Sequence, residues 1–276
     1  MLSLPVHAGP LPMIADLTVI KAGTGVLTQS ADGTLDRAAL VHLVAAMAGL
    51  IDAGHRCLFV SSGAVGSGVS AFGLAQYPGD TPTRQACAAV GQARLMQTYS
   101  SLFANFDITI AQVLLSAADL ATPERAAHVS DTLKRLLAEP RILPILNEND
   151  SVAVEELKFG DNDMLSVLVA QLAGARRVVF LTSVDGLLDP ETQALIPEVT
   201  DIDEALRHVR GDMGRFSMGG MNSKLAAVKC AVSAGIEAHI AHGRHPQRLA
   251  AILAGYGIST RFRAATITEG NRPVRH

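Results

Sequence analysis

The chain has no tryptophan, only 4% aromatic residues and three cysteines in 276 residues, and each scarcity removes a class of protein. Cys57, Cys87 and Cys230 lack metal-type spacing, and an odd count argues against a disulfide framework. All three read as structural thiols of a reducing compartment, so the expected location is cytoplasmic. No apolar run reaches the ~18 residues of a membrane-spanning helix, and the first twelve residues carry no basic segment of a signal peptide. No membrane partner is therefore expected. Charged residues make up 18% and the formal charge is −3, which leaves no basic field for nucleic acid. The locally basic tail after Arg261 reads as a solvated terminus. His55, His128 and His276 have no partners at metal spacing, and no residue is assigned as a metal ligand.

What is present is an apolar mass of Ala, Val, Leu and Ile within a 49% hydrophobic chain, as expected for helices packed on a parallel sheet. Short β-rich runs at 17–21, 57–61, 108–114, 142–146, 177–181 and 236–241 alternate with helical patterns at 36–53, 84–106, 123–139, 164–173, 200–210, 223–234 and 245–253. Alternation of this kind predicts an α/β fold with a mostly parallel central sheet sandwiched between helices. No linker divides the chain, so residues 16–265 are expected to form a single domain, with a flexible leader at 1–15 and a tail at 266–276. The stretch 152–158 alternates poorly and reads as a hairpin or flap.

Two polar clusters stand out at element ends. Asn147-Glu148-Asn149-Asp150 follows the run 142–146, and Gly160-Asp161-Asn162-Asp163 precedes the helical pattern from Met164. One Asp or Asn suffices to cap a helix, and the surplus points to a site where α/β proteins place their ligands. Three glycine-bearing segments are read as loops after strands, at 23–25, 63–68 and 218–224, where backbone N–H groups can approach phosphate oxygens. Among only five lysines, Lys134, Lys158 and Lys229 read as solvated. Lys21 ends an apolar strand beside Gly23, and Lys224 is read as opening a helix, where the dipole disfavours a cation. Both positions call for an anion, and lysines facing carboxylates and glycine loops suggest phosphoryl transfer. A P-loop is excluded, because no Gly-x-x-x-x-Gly-Lys-Ser/Thr occurs. The segment from Gly66 to Ala71 satisfies a relaxed dinucleotide fingerprint but falls too late after its strand.

These residues resemble the amino acid kinase superfamily and, within it, the glutamate 5-kinases. The resemblance rests on seven segments in order: 19–28, 61–65, 88–92, 147–152, 159–163, 181–187 and 219–224. It implies an αβα amino acid kinase fold and ATP-dependent phosphorylation of the γ-carboxylate of L-glutamate to L-glutamyl 5-phosphate, the first step of proline biosynthesis. ATP and Mg²⁺ are the implied cofactors. By position, Lys21 and Lys224 are similar to the lysines that neutralise the transferring phosphoryl group, and Asp163 to the carboxylate that holds them. Ser62, Gly63, Ala64, Asn147, Asp150 and Asn162 match the glutamate contacts. Lys21, Gly23, Thr182, Ser183, Met218, Gly219, Gly220, Met221, Asn222, Ser223 and Lys224 match the nucleotide contacts. L-Proline as feedback inhibitor, a homo-oligomer (dimer or tetramer) and hand-off to glutamyl phosphate reductase follow from the same resemblance. The chain departs from it at Gly25, where Ser is common, and at Ala126–Ser130, and ends too early for the C-terminal PUA domain of many members. The alternatives are a related kinase acting on another amino acid or carbamate, and a catalytically silent amino-acid- or nucleotide-binding regulator.

Overall fold

The computed structural model describes residues 17–29, 34–152, 162–189, 191–203, 205 and 218–264. The expected alternation is present. In chain order the elements are β1 (Leu17–Ala22), α1 (Thr24–Leu27), α2 (Arg37–Asp52), β2 (Arg56–Ser61), α3 (Ala64–Val69), α4 (Thr81–Ala104) and β3 (Thr109–Leu115). There follow α5 (Pro123–Leu137), β4 (Ile142–Glu148), α6 (Asn162–Ala173), β5 (Arg177–Thr182), β6 (Glu198–Val199), α7 (Met218–Ser233), β7 (Glu237–His242), α8 (Leu249–Leu253) and β8 (Thr260–Phe262).

Among the described residues, eight strands form one sheet in the order β3-β4-β2-β1-β5-β7-β8-β6. All pairs are parallel except β7 with β8. The first four strands lie on one side of the β1–β5 boundary and the last four on the other, so the strand order reverses there. A crevice at the carboxyl ends of the strands on either side of such a reversal is where open α/β sheets bind ligands. Both faces are covered. One apolar layer joins α5, α6 and α7 to the sheet through residues such as Leu133, Leu165 and Leu225. The other joins α2, α4 and α8 through Leu43, Leu95 and Ile252. β1 is buried along its whole length, which is why it carries no alternation.

Several boundaries differ from the sequence reading. β4 runs on through Asn147 and Glu148, because β3 keeps pairing with it to the Leu115–Glu148 register. The segment read as a loop at 63–68 turns at Gly63, with φ +94°, and then becomes α3. Its glycines serve close packing: a Cβ on Gly68 would lie 2.0 Å from the Cys87 carbonyl oxygen in α4. Residues 24–27 form a helical turn rather than an open loop. Likewise 218–223, read as a glycine loop, is the start of α7, where packing of Met221 and Leu225 into the core outweighs the helix cost of two glycines. The helix expected at 245–253 begins as a 3₁₀ turn at Pro246–Arg248. Strands β6 and β8 were not expected. β8 takes in Arg261, which pairs with Glu237; of the basic tail expected after it, residues 265–276 lie outside the described residues. Residues 153–158 of the expected flap, Asp161 and most of the expected helix at 200–210 lie outside the described residues.

Candidate active site

Lys21 is the fifth residue of β1, on the strand at the centre of the sheet, and is 1% exposed. A lysine this deep needs a partner, since an uncompensated buried charge costs several kcal/mol. The partner is Asp163, fully buried in the first turn of α6, with Oδ1 2.5 Å from Lys21 Nζ. Its other oxygen, Oδ2, accepts a hydrogen bond from Lys224 Nζ at 3.0 Å. Lys224 comes from the second turn of α7 and does not open that helix, and its side chain is 12% exposed. One carboxylate thus orients two ammonium groups from three elements. With all three ionised the cluster carries one net positive charge at the strand ends. Such a cluster is suited to receive a more highly charged anion, and low exposure strengthens the attraction. Gly23 lies two residues past Lys21, and a Cβ there would stand in ordinary contact with Lys21 Nζ at 3.6 Å.

Asn162, one residue before Asp163, ties the neighbouring strand ends together. Its Nδ2 lies within hydrogen-bond reach of the Asn147 Oδ1 at 2.8 Å, the Ser62 Oγ at 3.0 Å and the Ser61 carbonyl at 3.1 Å. Its Oδ1 accepts from the Glu148 backbone N–H at 3.3 Å. Asn147 Nδ2 in turn donates to Gln92 Oε1 in α4 at 3.0 Å. Ser61 Oγ donates to the Ser62 carbonyl and sits 3.0 Å from the Tyr99 hydroxyl. Burial pushes the Tyr99 hydroxyl well above its ordinary pKa, offset in part by that contact with Ser61, so Tyr99 acts as a neutral brace. Ends of β2 and β4 and the start of α6 are thereby locked in one polar network. Gly63 and Ala64 are buried beside it at the start of α3.

On the other side of Lys21, the Gly23 N–H donates to the Leu181 carbonyl at 3.3 Å, and Gly243 N–H donates to the Thr182 carbonyl at 2.8 Å. Thr182 is half-buried and Ser183 exposed at the end of β5, which places both on the rim of the crevice. Asp185, two residues on, is held by Arg248 at 2.8 Å. Met218 to Ser223 form the start of α7, on the same side as Lys224.

The sequence-predicted residues divide into two groups around Lys21 and Asp163. Ser62, Asn147 and Asn162 converge on one flank. Thr182, Ser183 and α7 bound the other. Asp150 lines a small cavity with Val65, Tyr77, Thr81, Arg84 and Gln85. Gln92 and Tyr99 were not among the expected site residues. The signal that could have found them is polarity on the buried face of a long helix, which needs a reason. Among the described residues no group of three or more His, Cys, Asp or Glu could hold a metal ion. No described helix is long and apolar enough to cross a membrane.

Residues 16–242 match the model of the amino acid kinase family. The glutamate 5-kinase of Citrobacter koseri is 43% identical over 260 residues, which cover 92% of this chain and 70% of that protein. Its counterpart from Salmonella paratyphi B is 42% identical over the same span and coverage. Among solved structures, carbamate kinase from Giardia lamblia bound to AMP-PNP superposes with a TM-score of 0.63 at 16% identity, over 90% of this chain and 98% of that one. UMP kinase from Bacillus anthracis gives 0.62 at 13% identity, over 91% and 97% of the two chains. At such identities these two bear on the fold alone, which is the expected αβα amino acid kinase fold. Family match, relatives and fold agree, and the chain belongs to the amino acid kinase family, in its glutamate 5-kinase branch.

Proposed function

We propose that the protein phosphorylates the γ-carboxylate of L-glutamate with ATP, giving L-glutamyl 5-phosphate and ADP. The observation that carries this reading is the Lys21–Asp163–Lys224 cluster at the strand ends, flanked by an amide network on one side and the β5 and α7 segments on the other. A carboxylate is ionised at pH 7, so the acceptor needs no general base. The obstacle is repulsion: at ~4 Å and an effective dielectric of ~20, each like-charge pair costs about 4 kcal/mol. Lys21 and Lys224 offset this by drawing phosphoryl oxygens toward the point where the acceptor arrives. A γ-carboxylate oxygen forms the new P–O bond, the bond from the γ-phosphorus to the β–γ bridging oxygen breaks, and ADP leaves with that electron pair. Asp163 keeps both lysines aimed throughout and gives up no proton.

Bound with the nucleotide, Mg²⁺ would neutralise phosphate charge. The described residues fit an ion carried on phosphates, because they offer no carboxylate cage and Asp163 is engaged by lysines. In this reading Ser62, Gly63, Ala64, Asn147, Asp150 and Asn162 face glutamate. Gly23, Thr182, Ser183 and residues 218–224 face ATP. Residues 16–265 act as one domain, supported by the single continuous sheet. L-Proline would compete for the glutamate pocket as a cyclic analogue. A homo-oligomer and transfer of the labile acyl phosphate to a reductase complete the reading. The test is incubation with MgATP, L-glutamate and hydroxylamine, with and without proline. Glutamate-dependent hydroxamate, reduced by proline and restored by excess glutamate, is expected. ADP release indifferent to glutamate would refute the reading.

A further inference from the structure

Gln92 lies in the middle of α4 and is 8% exposed, and an amide buried to that degree calls for a partner. Its Oε1 accepts from Asn147 Nδ2 at 3.0 Å. Building on the reading above, we infer that Gln92 is a positioning residue for the acceptor: it holds the Asn147 amide, and through it Asn162, so that Ser62 turns its hydroxyl proton toward a carboxylate oxygen of glutamate.

The directions of the bonds in this network follow from one backbone group. The Glu148 N–H can only donate, and it lies 2.9 Å from Asn147 Oδ1 and 3.3 Å from Asn162 Oδ1. Both side-chain oxygens therefore face that N–H, and both side-chain nitrogens are turned to other partners. Asn147 is 1% exposed, so its Nδ2 needs an acceptor inside the protein, and Gln92 supplies it. The same bond settles the Gln92 amide, which must present its oxygen and not its nitrogen to Asn147. Asn162 Nδ2 has two protons to share among Asn147 Oδ1, Ser62 Oγ and the Ser61 carbonyl, at 2.8, 3.0 and 3.1 Å. Because Ser62 Oγ accepts from Asn162, its own proton points away from that amide and is left for an incoming oxygen. Ser62 also stands where such an oxygen is wanted. It follows the last residue of β2, and its N–H donates at 3.2 Å to the carbonyl of Ala22, the residue after Lys21. Asn162 in turn directly precedes Asp163.

The packing of α4 explains why this oxygen stays in place. At Gly91, the neighbour of Gln92, a Cβ would stand 1.8 Å from the Ala64 carbonyl oxygen and 2.5 Å from the Gly68 nitrogen, so α4 lies on α3 main chain to main chain. Tyr99 follows Gln92 by seven residues, two turns along the same face, and its hydroxyl lies 3.0 Å from Ser61 Oγ. Helix α4 thus braces the ends of β2 and β4 together, and Gln92 is the contact that reaches the amides. A methionine at 92 would fill much the same space and leave Asn147 Nδ2 without its acceptor. A glutamate there would keep an oxygen in the same place. That contrast separates a positioning residue from one that only fills space.

The test measures hydroxamate formation from MgATP, L-glutamate and hydroxylamine in Gln92→Met and Gln92→Glu, and in Gln92→Met combined with Asn147→Ala. Gln92→Met should raise the glutamate KM ~10-fold, the scale of one buried donor left without its acceptor, with kcat and the ATP KM within about twofold of wild type. Gln92→Glu should recover most of that loss. The double variant should be no worse than Asn147→Ala alone, because Gln92 acts through Asn147. Calorimetric titration of L-glutamate without nucleotide should show the same loss and the same rescue, and thermal melts report folding of each variant. Should Gln92→Met fail to fold, Gln92→Ala also removes the acceptor and carries the same expectations. The assignment is overturned by an unchanged glutamate KM in the folded variant, by an equal change in the ATP KM, by no rescue in Gln92→Glu, or by additive losses in the double variant. Glutamate binding that depends on Gln92 without hydroxamate formation would refute the kinase reading while keeping the positioning role. Hydroxamate formation indifferent to Gln92→Met would do the reverse.

Discussion

Asp163→Asn separates the charge of the central carboxylate from its shape. At an effective dielectric of ~20, the contacts at 2.5 and 3.0 Å correspond to about 12 kcal/mol of gross attraction to the two lysines. Desolvation of three buried ions consumes most of that, and the measured cost of breaking a buried pair is about 3–5 kcal/mol. The amide keeps one hydrogen bond but leaves Lys21, 1% exposed, beside a second ammonium. The variant should therefore lose about 3–5 kcal/mol at pH 7 in urea melts followed by circular dichroism, since the chain has no tryptophan to report. Its pH dependence carries the sharper signature. An uncompensated buried ammonium is relieved by losing its proton, so above neutrality the unfolded variant binds more protons than the folded one. Stability of Asp163→Asn should then climb toward wild type between pH 7 and 10. ADP should also restore stability in the variant by more than in wild type, because its phosphates supply the missing negative charge. A variant with wild-type stability and the same slope against pH would show that Asp163 does not hold the lysines.

Lys224→Ala should lower glutamate-dependent ADP release by about 10²- to 10³-fold, the scale for one preorganised electrostatic contact, and near-full turnover would remove it from the mechanism. Gly91→Ala forces a methyl group against the Ala64 carbonyl and the Gly68 nitrogen at 1.8 and 2.5 Å. It should cost about 3 kcal/mol, read as a melting temperature lower by roughly 6–12 °C. Glu237 is held down to about 2 by its hydrogen bond with His239 and by Arg261, against the opposing effect of burial. Its folded pKa lies below the unfolded one, so its contribution is full above about 4.5 and is lost as the pH falls toward 2. That contribution is at most on the order of 3 kcal/mol, and Glu237→Gln should flatten the acid limb of the stability profile by this amount.

Lys21, Asp163 and Lys224 were legible from the chain because each violates a local expectation: a lysine ending an apolar strand, surplus carboxylates at a helix start, a cation where a helix was expected to begin. The order of strands and helices was equally legible, since buried parallel strands and amphipathic helices have different periods. Glycines misled. Gly68, in a segment read as a phosphate loop, is there because α4 lies against α3, a tertiary cause invisible in a window of ten residues. Gly219 and Gly220 fall inside α7, where contacts made by Met221 and Leu225 override local preference. Strands of two and three residues, β6 and β8, have no period to read. Gln92 and Tyr99 brace Asn147 and Ser61 through the path of one long helix, and that bracing shows only when β2, β4 and α4 are brought together.

The backbone contact at Gly68 and Gly91 gives α3 and α4 the mechanics of a single lever. Side-chain interfaces yield by changing rotamers, whereas an interface of main chain on main chain has no rotamer to change. Gln92 stands one residue from that contact and is hydrogen-bonded to Asn147, which is in turn bonded to Asn162 beside the lysine clamp. Helix α4 and the Asn147–Asn162 pair are thus joined by hydrogen bonds that start beside a seam with no rotamers to absorb a displacement.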